Sequence, residues 1–404
     1  MSQLVQFDPN HDDLVADMSF DLYGNRLCTV SSDHTIKVWQ LNQDTHRWQL
    51  TASWRGHDSS LTKVSWAHPE FGNLIATGAF DRTVRIWQQP RQAAATGVAG
   101  PEAAIHSGLA MANHGNGPGL GGMVTDANVN AWNVVVSKRD AQGMITDLSF
   151  APHFMGLMLA VASSDGMVRV YETGSPVKID SWTLLSEIDV HCLPSFAPGV
   201  EERLQSKPAS PNGGTEAGLA GNTLTDTRMA PFREHRYNVC LAWCPSRFLT
   251  HTMAVGCGRE KDAKIYRYVG GRWVVYEVLS GHTDEIHSIS WAPQVGRSYH
   301  LVATACKDQY VRIYRVDVSY GNLDLDGSKD LMEEYEAASA NLQLHATLVA
   351  SFNNHNAEVW TVAWNVTGTV LSSSGDDGKV RLWKATATGE WRAMETISTD
   401  QGNE

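Results

Sequence analysis

Between Glu358 and Ala385 apolar and polar residues alternate with the period of a β-strand, break twice at turn residues, and resume. Val359, Thr361 and Ala363 fall on one side of the first run, with Trp360, Val362 and Trp364 on the other. Thr367-Gly368 reverses the chain, Thr369–Ser374 returns, and Asp376-Asp377-Gly378 reverses it again before Val380, Leu382 and Lys384 alternate with Arg381 and Trp383. Period-two alternation around an Asp-Gly turn predicts consecutive hairpins. A single meander of this size cannot bury its own faces in water, so neighbouring units must supply the core.

The neighbours are copies. An Asp followed six positions later by Trp or Tyr recurs as Asp33…Trp39, Asp81…Trp87, Asp165…Tyr171, Asp308…Tyr314 and Asp377…Trp383, enclosing TIKVW, TVRIW, MVRVY, YVRIY and KVRLW. A strand of small residues precedes each Asp, and before that lies a strand ending in Phe20, Trp66, Phe150, Trp291 or Trp364. A degenerate sixth copy spans VCLAWCP, MAVGCG and AKIYRY, with Arg259-Glu260-Lys261-Asp262 in place of the regular turn. This is a WD-type repeat, and four strands per repeat predict an all-β, six-bladed β-propeller. Asp33, Asp81, Asp165, Asp308 and Asp377 are expected to hold the turns by accepting hydrogen bonds from turn amides and from a histidine such as His57 or His282. Trp39, Trp87, Tyr171, Tyr314 and Trp383 are expected to fill the space between blades. The recurring Asp, His and Ser residues resemble a catalytic set, but five identical active sites in one chain argue for turn and blade stitching instead.

Composition narrows the function classes. The 404 residues carry 32 Lys and Arg against 44 Asp and Glu, a formal charge of −12, which argues against a dedicated nucleic-acid grip. The cysteines at 28, 192, 240, 244, 257 and 306 are scattered without a Cys-x-x-Cys pair, as expected of free thiols in a reducing compartment. The N-terminal MSQLVQFDPNHDD lacks a basic region followed by an apolar run, and no apolar run reaches the length of a membrane span, so a soluble chain of the cytoplasm or nucleus is expected. Three segments interrupt the repeats: 90–122, rich in Ala, Gly and Pro; 194–231; and 320–344, acidic, with a short helix expected around Leu331–Ala340. Gly117–Gly122 matches a dinucleotide-loop pattern, but no strand precedes it and no helix follows, so no cofactor is expected there. The Asn365-Val366-Thr367 sequon lies in a blade turn and is discounted. No convergent set of nucleophile, base and anion-stabilising donors appears outside the repeat positions, which points to a non-enzymatic protein without cofactor or metal.

The phase of the repeats bears on ring closure. Blades are expected at about 11–55, 56–140, 141–190, 236–280, 281–318 and 345–398. The first begins with its own inner strand and the last ends with its own outer strand, Glu390–Ile397, so neither chain end is left over to latch the ring. Blades one and six then meet at a seam, to which a partner can add strands by β-augmentation. The seam candidates are Leu4, Val5, Phe7, Trp391 and Met394, and closure by residues 3–7 is the alternative.

The segments WAHPEFG (66–72), FAPHFMGLMLAVASSDGMVRVYE (150–172), WAPQVGRSYHLVATACKD (291–308) and NHNAEVWTVAWNVTGTVLSSSGDDGKVRLWKA (354–385) closely resemble the Seh-type nucleoporins, propeller relatives of the outer-cage subunit of COPII coats. The resemblance spans all the blades and fails only in the three insertions. It implies an open six-bladed propeller completed by a blade from an α-solenoid nucleoporin. It also implies membership of the Y-shaped coat complex of the nuclear pore, beside other nucleoporins of that complex. A second residence is implied in the vacuole- or lysosome-associated SEA/GATOR complex that regulates TOR signalling, with no direct nucleic-acid partner and no membrane insertion. The rival reading from the repeats alone is a closed adaptor that presents peptides or substrates to another assembly.

Overall fold

The computed structural model describes residues 7–90, 131–174, 179–190, 196–197, 200, 238–258, 260–320 and 342–398. Within them the short alternating runs form six four-stranded antiparallel sheets, each strand bonded to its neighbour in sequence. The first sheet takes Val15–Phe20, Arg26–Ser31, Thr35–Asn42 and Arg47–Arg55. The second takes Leu61–Trp66, Leu74–Ala79, Val84–Gln88 and Asn133–Lys138. The third takes Ile145–Phe150, Met158–Ser163, Met167–Thr173 and Trp182–Asp189. The fourth takes Val239–Trp243, Thr252–Cys257, Ala263–Val269 and Arg272–Leu279. The fifth takes Ile286–Trp291, His300–Cys306, Val311–Tyr320 and Leu342–Phe352. The sixth takes Val359–Trp364, Val370–Gly375, Lys379–Ala385 and Trp391–Ser398. The molecule is a six-bladed β-propeller.

The expected boundary between blades five and six needs correction. Leu342–Phe352 is the outer strand of the fifth sheet, paired from Tyr320↔Leu342 to Val311↔Phe352, so the third insertion lies inside blade five. Leu342 and Leu344 are buried with Tyr314 and Val316 in the core between blades four and five. The acidic character of the preceding residues hid the start of this strand. The short helix expected around 331–340, the Gly117–Gly122 match and most of the segment 194–231 lie outside the described residues. Of the last, Phe196 forms a parallel bridge to Val275, and the Ala197 amide donates to the Val275 carbonyl at 2.8 Å, at the outer edge of blade four.

Small residues allow the sheets to approach at their second strands. A Cβ added to Gly78 of blade two would lie 2.5 Å from Ile145 of blade three, closer than real carbon atoms come. Apolar clusters fill each space between successive blades, from Cys28, Val30, Ile36 and Val38 of blade one against Leu61, Val64, Ile75 and Trp87 of blade two, to Leu301, Ala303, Val311 and Ile313 of blade five against Val362, Leu371 and Trp383 of blade six. The inner strands pack side by side in chain order, blade one on two through to five on six. Among the described residues, the inner strands of blades six and one make no comparable contact with each other.

Candidate functional site

Each blade is held by polar relays whose parts come from the repeat positions. In blade two the Trp87 indole N–H donates to Thr77 Oγ1 at 2.9 Å, Thr77 Oγ1 meets His57 Nε2 at 2.8 Å, and His57 Nδ1 meets Asp81 at 3.2 Å. Asp81 in turn accepts from the Thr83 amide and hydroxyl at 2.9 and 2.6 Å. One tautomer satisfies every member: the neutral ring donates from Nδ1 to the carboxylate and accepts the Thr77 hydroxyl proton at Nε2. Burial pushes the His57 pKa down, against the pull of Asp81. Burial would push Asp81 up, but its bonds to His57 and Thr83 win, and the carboxyl is held well below its usual range.

Blade one repeats the relay through Trp39, Thr29, His11 and Asp33, with contacts of 3.1, 2.9 and 2.9 Å. Blade six repeats it through Trp383, Ser373, His355 and Asp377, at 2.9, 2.8 and 2.8 Å. The sequence reading had not singled out His11, because no Gly-His pair introduces blade one.

The other blades depart from this set. In blade five His282 reaches Thr304 at 2.9 Å, while Tyr314 donates to the Ser280 carbonyl at 2.9 Å. The expected bond from His282 to Asp308 is not formed. Arg312 takes Asp308 at 2.8 Å, and the Thr283 amide donates to it at 3.0 Å. Blade three has no histidine here: Arg169 bonds Ser163 and Asp165 at 2.9 and 3.1 Å, and Tyr171 donates to Asp140 at 2.9 Å. In blade four a Lys264–Glu260 pair closes the irregular turn. The repeated Asp, His and hydroxyl groups are thus spent on one another. Among the described residues, no group of three or more His, Cys, Asp or Glu is disposed to hold a metal ion.

A second set of bonds joins blade to blade at the inner strands. The indoles of Trp66, Trp243 and Trp364 donate to the carbonyls of Ser19, Ser149 and Ser290 in the preceding blade, at 3.0, 3.1 and 3.1 Å. Asp17 and Asp147 accept from the Val64 and Leu241 amides of the following blade at 3.0 and 2.9 Å. Lys63, on the inner strand between them, opposes the upward shift that burial imposes on both carboxyls. Its own pKa is lowered by burial but raised more by Asp147 and Asp17. The sequence showed that each inner strand ends in an aromatic; it did not show that the residue before that aromatic supplies the acceptor for the next blade.

Among the described residues this stitching does not join blade six to blade one. On the face of blade five turned to blade six, Leu301, Ala303, Ala305, Val311 and Ile313 are all buried. The positions in matching register on blade six, Val370, Ser372, Ser374, Val380 and Leu382, are all partly exposed. On blade two, Leu61 and Val64 are buried under blade one; their counterparts Val15 and Met18 are exposed, Met18 to 61%. Phe7 lies on this face of blade one, edge-on to Trp39 at 4.8 Å between centroids and 6.3 Å from Trp48. Met394 is 59% exposed at the bulge of the last strand. Trp391 is not on the seam face: it is buried with Trp383 in the core between blades five and six and meets Trp364 edge-on at 5.5 Å. A one-residue offset across the bulge at Met394 decides this, and strand alternation alone does not reveal a bulge. Leu4 and Val5 lie outside the described residues.

Comparison with known proteins gives these features a family. The model of the WD domain, G-beta repeat, matches residues 2–40, 48–88, 273–315 and 346–384. The chain is 34% identical to Nucleoporin SEH1 of Saccharomyces cerevisiae, over 98% of this chain and 99% of that protein. It is 34% identical to Nucleoporin seh1 of Schizosaccharomyces pombe, over 97% and 95% of the two chains. The chain belongs to the SEH1 nucleoporin family. Similarity to Nucleoporin SEH1 of Homo sapiens, 32% over 95% of this chain and 85% of the human protein, extends the family across fungi and animals. Among the described residues of this SEH1-family propeller, the relays of blades one, two and six are the most regular.

Proposed function

We propose that this chain is a non-enzymatic scaffold subunit of the nuclear pore coat whose propeller accepts a blade from an α-solenoid nucleoporin. The observation that carries the reading is the exposed inner strand of blade one, at Val15 and Met18, and the partly exposed Val370, Val380 and Leu382 of blade six, beside five covered junctions. Family membership supplies the nucleoporin setting, and a partner from the Y-shaped complex fits it. The same seam serves in the vacuole-associated SEA/GATOR complex, where the chain contributes to TOR regulation as a structural part. An inserted blade covers both faces and buries on the order of 1,600 Å² or more, the size of a stable interface.

The test is co-expression of the full chain with the solenoid nucleoporin of its own cells. A stoichiometric complex that melts above the isolated chain is expected, since a ligand of the native state stabilises by mass action. Met18→Glu combined with Leu382→Glu should abolish the complex while leaving the isolated chain folded. Deleting the last strand is a poorer probe, because it removes the buried Trp391. Equal melting with and without the nucleoporin, or a complex indifferent to both glutamates, refutes the proposal and leaves a closed adaptor as the better account.

A further inference from the structure

The inner strands show what chemistry the entering strand must carry. In five blades the first inner-strand pairing is interrupted by one unpaired residue: Ala16, Thr62, Thr146, His287 and Trp360. At two of these positions, in blades three and five, the side chain reaches the following blade. Thr146 of blade three donates to the Val239 carbonyl of blade four at 2.7 Å. His287 of blade five stacks on Trp360 of blade six, with ring centroids 4.2 Å apart and planes 18° from parallel. Trp360 holds the same position in blade six, whose inner strand, among the described residues, makes no comparable contact with that of blade one. Its indole N–H is fixed by Asp376 at 2.5 Å and one ring face is occupied by His287, yet the side chain is 48% exposed.

At the other end of the strand, three of the five internal junctions share a contact. The carbonyl before the terminal aromatic receives an indole N–H from the next blade at Ser19, Ser149 and Ser290. The matching carbonyl of blade six is that of Ala363; it pairs with Ser372 in its own sheet and accepts that hydroxyl at 3.0 Å, and among the described residues no indole from a following blade reaches it.

We infer that Trp360 is the anchor for the strand that enters the seam, and that this strand places a flat or long apolar side chain on the open ring face of Trp360 and a tryptophan at its far end, donating to the Ala363 carbonyl. The occupant is thus an inner strand of the same design as the chain's own, supplied by a partner blade. Continuity with the internal junctions argues for it: both contacts occur together where blade three meets four and where five meets six, the blade-six half of each is in place, and a rigid aromatic held from behind by His287 and Asp376 is the kind of residue that carries binding energy. A second copy of this chain would have to detach its own stitched inner strand to fill the same place.

The inference rests on the blade-donation reading, and the experiment separates the two. The probe is the co-expressed solenoid nucleoporin, with affinity measured by titration calorimetry and the melting temperature of each isolated variant measured alongside. Trp360→Ala is expected to weaken binding about tenfold or more. Trp360→Phe, which keeps a flat ring on His287 but loses the bond to Asp376, is expected to bind within about threefold of the wild type. A substitution of the partner's strand-end tryptophan to Phe should weaken binding without changing the melting of this chain. If Met18→Glu with Leu382→Glu abolishes binding while Trp360→Ala leaves it within twofold, the seam reading stands and the Trp360 inference is overturned. If no seam variant affects binding, both fall together.

Discussion

Replacing Thr77 by Val isolates the energy of the blade-two relay from its packing. The two side chains have nearly the same shape, and Thr77 is fully buried, so the substitution opens no cavity and exposes no surface. What it removes is one hydroxyl that accepts the Trp87 N–H at 2.9 Å and donates to His57 Nε2 at 2.8 Å. A methyl group does neither, and both partners are buried too deeply for water to replace it. Each orphaned group costs about 1–3 kcal/mol, so the expected loss for the two is about 2–6 kcal/mol. Equilibrium urea unfolding followed by tryptophan fluorescence measures it, with Thr51→Val as the control. Thr51 also donates to a carbonyl, that of Val38 at 2.9 Å, but it is exposed, and water replaces the bond; its loss should stay within about 0.5 kcal/mol. A Thr77→Val protein within about 0.5 kcal/mol of the wild type would refute the relay as a source of stability.

Three further outcomes follow from the same geometry. The pKa values of His282 and His300 are pushed down to about 4, chiefly by burial, and those of His57, His287 and His355 are lowered as well. Groups whose folded pKa is depressed stabilise fully above their unfolded value, near 6.5 for His, and lose that contribution as pH falls through the folded pKa. Unfolding free energy should therefore decline between about pH 6.5 and 4, and His282→Gln should flatten part of that decline; a level profile over this range contradicts the assignment. The turn carboxyls Asp33, Asp81, Asp165, Asp308 and Asp377 are held low despite burial, by hydrogen bonds from His, Thr, Ser and Arg side chains and turn amides, so their contribution is lost only below about pH 4. Lys63→Met should destabilise the protein at pH 7, with a smaller penalty at pH 5. Asp17 and Asp147 already have raised pKa values and would then protonate more readily, so equal penalties at the two pH values would show that Lys63 does not balance them.

The blades were legible in the sequence because the pattern was both local and repeated. Asp33, Asp81 and Asp377 could be placed in their turns from spacing alone, since a turn is closed by residues two or three positions apart. Two kinds of feature were hidden. Bulges shift side chains by one position without changing composition, which is why Trp391 read as a seam residue although it packs toward blade five. Partners remote in sequence were hidden too: nothing near Ser19 or Asp17 announces that Trp66 and Val64 will bond to them. His282 differs for a reason the spacing does not carry: Arg312 holds Asp308 at 2.8 Å without His282, whereas in blade six Arg381 and His355 both hold Asp377. The outer strand of blade five was displaced in the reading because a long insertion separates it from the strand it pairs with.

Because every sheet is built from four strands consecutive in the chain, each blade is completed without waiting for the other terminus, although in blades two and five an insertion precedes the last strand. Its contacts within the sheet are of short loop length, and such contacts form early. The stack then grows in one direction, each new blade settling on the one before it, as in a linear repeat array. In such an array the end units have one neighbour instead of two and open at the lowest free energy. Blades one and six are those end units, and they are also the two that face the seam. The surface that the proposed function assigns to a partner is thus the first to be finished on one side, the last on the other, and the most readily reshaped on both.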